Sequence, residues 1–226
     1  MLPARDRFQE LKARFSATPG AVSVGREALF PTAIPSIDHL LGGGIPYGAL
    51  LTLEGVGSAG CRSIAATLLA QATRNGLGAV IDDGELYPPS LEAAGVRLDR
   101  LLIVPASTPV LAARAADALL RSRTARVVVM AAAKLRAAVW TRLAGLAHKA
   151  GAVLVVLASR ALGELSAAAT VRLGCRLDRA VLAGTRGLWG IFTGFELQAE
   201  LRKHKRAAGG AFASVRSFAP ATAVAG

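Results

Sequence analysis

Residues 50–63 read LLTLEGVGSAGCRS. Leu50 to Glu54 form an aliphatic run of the length of a buried strand, and from Arg62 onward the composition favours a helix. Between them lie Gly55, Gly57 and Gly60, which let the main chain turn sharply and approach a ligand closely. A strand, a glycine loop and a helix in this order can cradle a phosphate. Backbone N–H groups converge at the helix N-terminus, where the dipole favours an anion. The candidate nucleotide-binding loop is therefore Gly55, Gly57, Ser58, Ala59, Gly60, Cys61, Arg62 and Ser63.

Two phosphate motifs compete for this loop. Read as GxxxxGK[ST], Gly55 and Gly60 match, but Cys61 stands at the lysine position and Arg62 at the Ser/Thr position. The lysine supplies a point charge to the β and γ phosphates and the hydroxyl holds Mg²⁺, and neither replacement does that work. Slipped by one residue, Arg62 would be a surrogate cation and Ser63 a metal hydroxyl, which is the ATPase alternative. Read as GxGxxG, all three glycines match and Asp82 ends the next strand, as in an NAD(P)-binding oxidoreductase. A dinucleotide domain usually opens on that strand, however, and here it begins only at Leu50.

Outward from the loop, short aliphatic runs alternate with alanine-rich stretches, the pattern of βαβ units and a parallel sheet. Strands are expected at Leu50–Glu54, Gly78–Asp82, Leu101–Pro105, Arg126–Met130 and Ala152–Ala158. Helices are expected near Arg62–Arg74, Ser90–Ala94, Val110–Arg121 and Lys134–Ala150. Beyond Thr170, three longer β-like runs separated by glycine turns suggest an antiparallel extension at one sheet edge. Ahead of this body, Ala4, Phe8, Leu11 and Phe15 form one apolar stripe on a charged helix, followed by the linker SATPGA. The division is an arm and linker over 1–21, an α/β body over 22–218 and a frayed tail over 219–226.

The chain has 226 residues, 53% of them hydrophobic but only 5% aromatic, so a core of small aliphatic side chains is expected and global disorder is excluded. Its net charge of +12 is uneven. Residues 1–111 carry nine basic and ten acidic groups, and residues 112–226 carry eighteen and five. Such a surface attracts polyanions, DNA among them, although an arginine-rich composition alone would give the same excess. Arg114, Arg121, Arg123, Arg126, Lys134, Arg136, Arg142 and Lys149, with only Asp117 among them, are the candidate DNA or acidic-partner face. Two cysteines, a charged opening segment and no membrane-length apolar run favour a cytoplasmic protein. The scattered His39, His148 and His204 give no metal site, and no cofactor is assigned.

The flanking sequence narrows the choice. IPSIDHLLGGGIPYGALLTLEGVGSAG (34–60) resembles the segment leading into the phosphate loop of RecA-family recombinases, with a short helix at Ile37–Leu41, a glycine turn and Pro46 feeding the first core strand. AVIDDGELYPPSLEAAGVRLDRLLIVPA (79–106) looks like the second strand, its acidic turn and the lead into the third strand. The likeness spans roughly residues 32–216. KHKRAA (203–208) is similar to a recombinase stretch whose two lysines reach a nucleotide on the neighbouring subunit, which would make Lys203 and Lys205 interface cations. By the same resemblance, Phe8, Leu11 and Phe15 would dock the arm on another subunit and mediate self-association.

The departures from that family fall on its hydrolytic parts. Met130 stands at the Walker B aspartate position, and a thioether cannot replace a hard oxygen ligand for Mg²⁺. Gly84 stands at the catalytic glutamate position, leaving Asp83 or Glu85 only after a one-residue shift. The first DNA loop is nearly absent, because a helix is expected soon after Met130, and the second, SRALGELSAAAT (159–170), is short. This combination resembles the ImuA family, bacterial relatives of RecA that partner ImuB and an error-prone polymerase in SOS-induced translesion synthesis. The resemblance implies a non-catalytic accessory protein with ImuB, RecA and DNA as partners.

Overall fold

The computed structural model describes residues 28–56, 60–183, 191–204 and 209–218. The N-terminal stripe of Phe8, Leu11 and Phe15, the tail over 219–226 and Lys205 lie outside the described residues. Two short strands, β1 (Leu29–Phe30) and β2 (Ile45–Pro46), pair antiparallel around α1 (Pro35–Leu40). Then follow β3 (Leu50–Glu54), α2 (Cys61–Asn75), β4 (Leu77–Asp82), α3 (Pro88–Ala93) and, after a 3-10 turn, β5 (Leu101–Pro105). Next come α4 (Pro109–Ser122), β6 (Ala125–Ala131), α5 (Ala137–Ala150), β7 (Val153–Ala158) and α6 (Gly163–Ala168). The series ends with β8 (Val171–Ala183), β9 (Ile191–His204) and β10 (Phe212–Phe218).

One eight-stranded sheet has the order β10-β9-β8-β3-β7-β6-β4-β5. From β5 to β8 neighbouring strands are parallel, while β8-β9 and β9-β10 are antiparallel. The expected antiparallel edge is therefore present, but its first strand does double duty. β8 pairs parallel with β3 on one side, because α6 crosses over and Thr170 N–H donates to the Leu50 carbonyl at 2.8 Å. β9 then returns along its other side.

Strand alternation sorts the core into two layers. On one face α2 lays Ile64, Ala65, Leu68 and Leu69 over Leu51, Leu53, Val127, Val129, Val153 and Val155. On the other, α4 and α5 lay Ala116, Leu120, Trp140, Leu143 and Ala147 over Leu50, Ile81, Val128, Met130, Leu154 and Val156. The central strands read as unbroken aliphatic runs because both faces are covered, and each such side chain taken from water contributes about 1.5–3 kcal/mol. Small residues let helix and backbone meet closely. A Cβ on Gly48, at φ +78°, would lie 2.8 Å from the His148 Cα on α5.

Local chemistry explains the element ends. Pro109 opens α4, where Thr108 Oγ1 accepts the Leu111 N–H at 3.2 Å, and Gly151 ends α5 at φ +65°. The α5 helix starts at Ala137, later than the sequence suggests, since Arg136 is extended and residues 132–136 form a short connection. Among the described residues, no helix is long and apolar enough to cross a membrane.

Candidate functional site

The glycine loop leaves the C-terminal end of β3, where α/β folds place their ligands. Gly55 N–H donates to the Ala158 carbonyl at 2.9 Å, tying the loop's start to the end of β7. Its far end is Gly60, the left-handed N-cap of α2 at φ +78°, with no side-chain cap. A Cβ on Gly60 would fall 2.1 Å from Cδ1 of Leu197 on β9. That glycine is required by close packing against the antiparallel edge, whatever the loop binds. Gly57, Ser58 and Ala59 lie outside the described residues.

Beyond Gly60, the two candidate ATPase residues are both exposed. Arg62 is ion-paired with Glu85 in the turn after β4. Ser63 lies on the first turn of α2, its carbonyl accepting the Thr67 hydroxyl at 3.0 Å. Asp82 is committed to its own turn, one carboxylate oxygen accepting the N–H groups of Gly84, Glu85 and Leu86 at 3.0, 3.1 and 3.0 Å. Met130 is 1% exposed, packed with Trp140 between the sheet and its helices. The position expected to carry a Walker B aspartate thus lies in the apolar core.

Strand order overturns the dinucleotide alternative. That reading needs the strand carrying the acidic residue beside the strand carrying the glycine loop. Here β7 and β6 stand between β3 and β4, which at the usual strand spacing puts Asp82 about 14 Å from the loop's strand. The GxGxxG match of Gly55, Gly57 and Gly60 is therefore not a dinucleotide fingerprint.

Sequence reasoning missed the most heavily bonded polar group at the site. Glu54, the last residue of β3, is 2% exposed. Its carboxylate accepts Arg172 Nε at 2.8 Å and Nη2 at 2.9 Å, Arg202 Nη1 at 3.0 Å and the Thr52 hydroxyl at 3.0 Å. Burial alone would raise its carboxyl. The bonds from Arg172, Arg202 and Thr52 together hold it below the ordinary value instead. The available signal was a carboxylate closing an aliphatic strand, which demands a cation. Which of many arginines answers it depends on β8 and β9 lying beside β3.

The other candidates are scattered. Lys203 Nζ, half-buried, donates to the Ser166 and Ala167 carbonyls at 3.0 Å each, so it caps the C-terminal end of α6 within its own chain. In the basic set, Asp117 takes up Arg121 and Arg142 together at 2.7 Å each. Burial works against the charge on Asp117, but the two guanidiniums hold its carboxyl below the usual range. Arg126 belongs to β6, half-buried, with its Nε 2.6 Å from where a Cβ on Gly76 would be. Arg114, Arg123, Lys134, Arg136 and Lys149 are exposed. Arg121 and Arg142 are exposed too, but share Asp117.

A central parallel sheet with helices on both faces, a glycine loop after its first core strand and an antiparallel edge define a RecA-like α/β domain. The RadB recombinase crystal structure superposes with a TM-score of 0.67 at 18% identity, covering 83% of this chain and 96% of that one. Residues 39–161, more than half of the chain, match the family described as the MT3502 N-terminal domain, and the chain belongs to that family. It is also similar to RecA of Nostoc punctiforme, 36% identical over 97 residues, and to RecA of Methylococcus capsulatus, 36% over 105. Those stretches cover 42% and 45% of this chain but 27% and 30% of the relatives, so the match spans less than a third of their length.

Proposed function

We propose that this chain is a non-catalytic RecA-like accessory protein in SOS-induced translesion DNA synthesis, of the ImuA kind. It uses a recombinase scaffold to bind protein partners, ImuB first, with RecA and an error-prone polymerase in the same assembly. The observation that carries this reading is the state of the loop's neighbourhood. Cys61 takes the lysine position, Arg62 is paired with Glu85, and Met130 is sealed in the core where a magnesium carboxylate would be needed. In this reading the loop keeps the glycines at Gly55 and Gly60 and lacks the lysine and magnesium carboxylate of a motor.

The competing reading is a recombinase-type, DNA-dependent ATPase that uses Arg62 and Ser63. A pull-down of the purified chain with ImuB and with RecA separates the two when run beside an ATP hydrolysis assay. Binding without turnover is expected, and turnover without either partner overturns the adaptor reading. Deleting residues 1–16 is expected to weaken self-association or RecA capture while circular dichroism stays unchanged. Full retention of both means that the Phe8, Leu11 and Phe15 stripe serves its own domain.

A further inference from the structure

We propose that Cys61 and Cys175 form a redox-active thiol pair, a modification site at which a peroxide joins the start of α2 to β8 through a disulfide. They are the chain's only cysteines and lie far apart in sequence. The sheet register brings them together. Glu54 pairs with Gly174, so Cys175 lies one residue past the last β3-β8 pair, level with the start of the glycine loop. Val171, Leu173 and Cys175 alternate onto the face that α2 covers, and Cys61, the first residue of α2, packs against the same cluster. Both thiols are free.

Their surroundings differ as those of a nucleophile and a resolving thiol must. Cys61 is half-buried at the N-terminus of a fifteen-residue helix, a position that favours thiolate. The neighbouring Cys175 thiol lowers it further, against burial and the charge of Glu54. Cys175 is buried, and the neighbouring Cys61 sulfur together with burial pushes it up, so it stays a protonated thiol until the second step.

The chemistry balances with hydrogen peroxide as oxidant. The Cys61 thiolate attacks one peroxide oxygen, the O–O bond breaks, and hydroxide leaves with the Cys61 proton as water. Cys61 becomes a sulfenic acid. Cys175 then gives up its proton and attacks the Cys61 sulfur, the S–O bond breaks, and a second water leaves. Two thiols lose two electrons and one peroxide gains them. The pairing depends on sheet register and helix placement, and it holds whether or not the loop binds a nucleotide.

The test treats the full-length reduced protein with hydrogen peroxide, alkylates remaining thiols, and reads intact mass and a non-reducing peptide map. The expected product has lost two hydrogens and yields one peptide pair linked through Cys61 and Cys175. Cys61→Ser abolishes the link, and Cys175→Ser leaves a sulfenic acid on Cys61 that dimedone captures. Circular dichroism checks that the serine variants fold, while the wild-type map decides by itself. Two thiols that remain alkylatable, or oxidation to sulfinic acid or between molecules without that linked peptide, overturn the proposal.

Discussion

Arg62, the second residue of α2, is ion-paired with Glu85 in the turn that follows β4. The cation offered by the glycine loop and an acid offered by the neighbouring turn thus satisfy each other. Both side chains are well exposed, 71% and 64%, and such pairs contribute about 0–1 kcal/mol. The pair matters through where it holds the guanidinium, since its contribution to stability is small.

Hydrolysis is the direct check. With Mg-ATP and single-stranded DNA, phosphate release is expected at background for wild type and for Arg62→Ala alike, because in the proposed reading the magnesium ligands are missing as well as the lysine. Clear turnover that disappears in Arg62→Ala would make Arg62 a working catalytic cation.

Restoring the Walker B carboxylate is expected to harm the protein. Met130→Asp places a charge between the sheet and Trp140, in a cluster of apolar side chains. A loss of about 3 kcal/mol or more is expected from urea unfolding. Met130→Leu conserves volume and should cost less than about 1.5 kcal/mol. Equal midpoints for the two variants would mean that water reaches this position.

Glu54 links stability to acid. Its folded carboxyl lies below the unfolded value, so its contribution is fully present above the ordinary carboxylate range and is lost as pH falls through the lower folded value. Glu54→Gln leaves Arg172 and Arg202 without their shared anion and is expected to cost about 3 kcal/mol at neutral pH. The gap between wild type and variant should narrow in acid. A gap that is constant down to about pH 3 would show that the triad does not govern acid stability.

DNA binding, if it uses the basic half, should weaken steeply with salt. Removing Lys134 and Arg136, both exposed, should flatten the slope by about one unit for each phosphate no longer neutralised. Removing Arg121 and Arg142 should change it less, since Asp117 already holds both. Binding that ignores salt, or equal effects from the two pairs, would move the DNA-binding surface elsewhere.

The strands from Leu50 to Ala158 were legible because each is an aliphatic run bounded by turn residues, and observed ends differ from expectation by a residue or so. The start of α5 was misplaced because Lys134 and Arg136 suit a helix locally, while the extended Arg136 backbone delays it. The site was legible only in part. Residue identities at Cys61, Arg62 and Met130 carry the expectation of a loop without its lysine or magnesium acid, but nothing local says that Arg62 meets Glu85 or that Lys203 caps α6.

Period-two alternation, glycine placement and composition are properties of neighbouring residues, so the chain alone determined its elements, its parallel core and the loop after β3. Partnerships across the sheet depend on which strands lie side by side and in what register, and that arises only on folding. Tertiary structure therefore decided that β7 and β6 separate Asp82 from the glycines, that Glu54 is held by Arg172 and Arg202, and that Cys61 and Cys175 pack into one cluster.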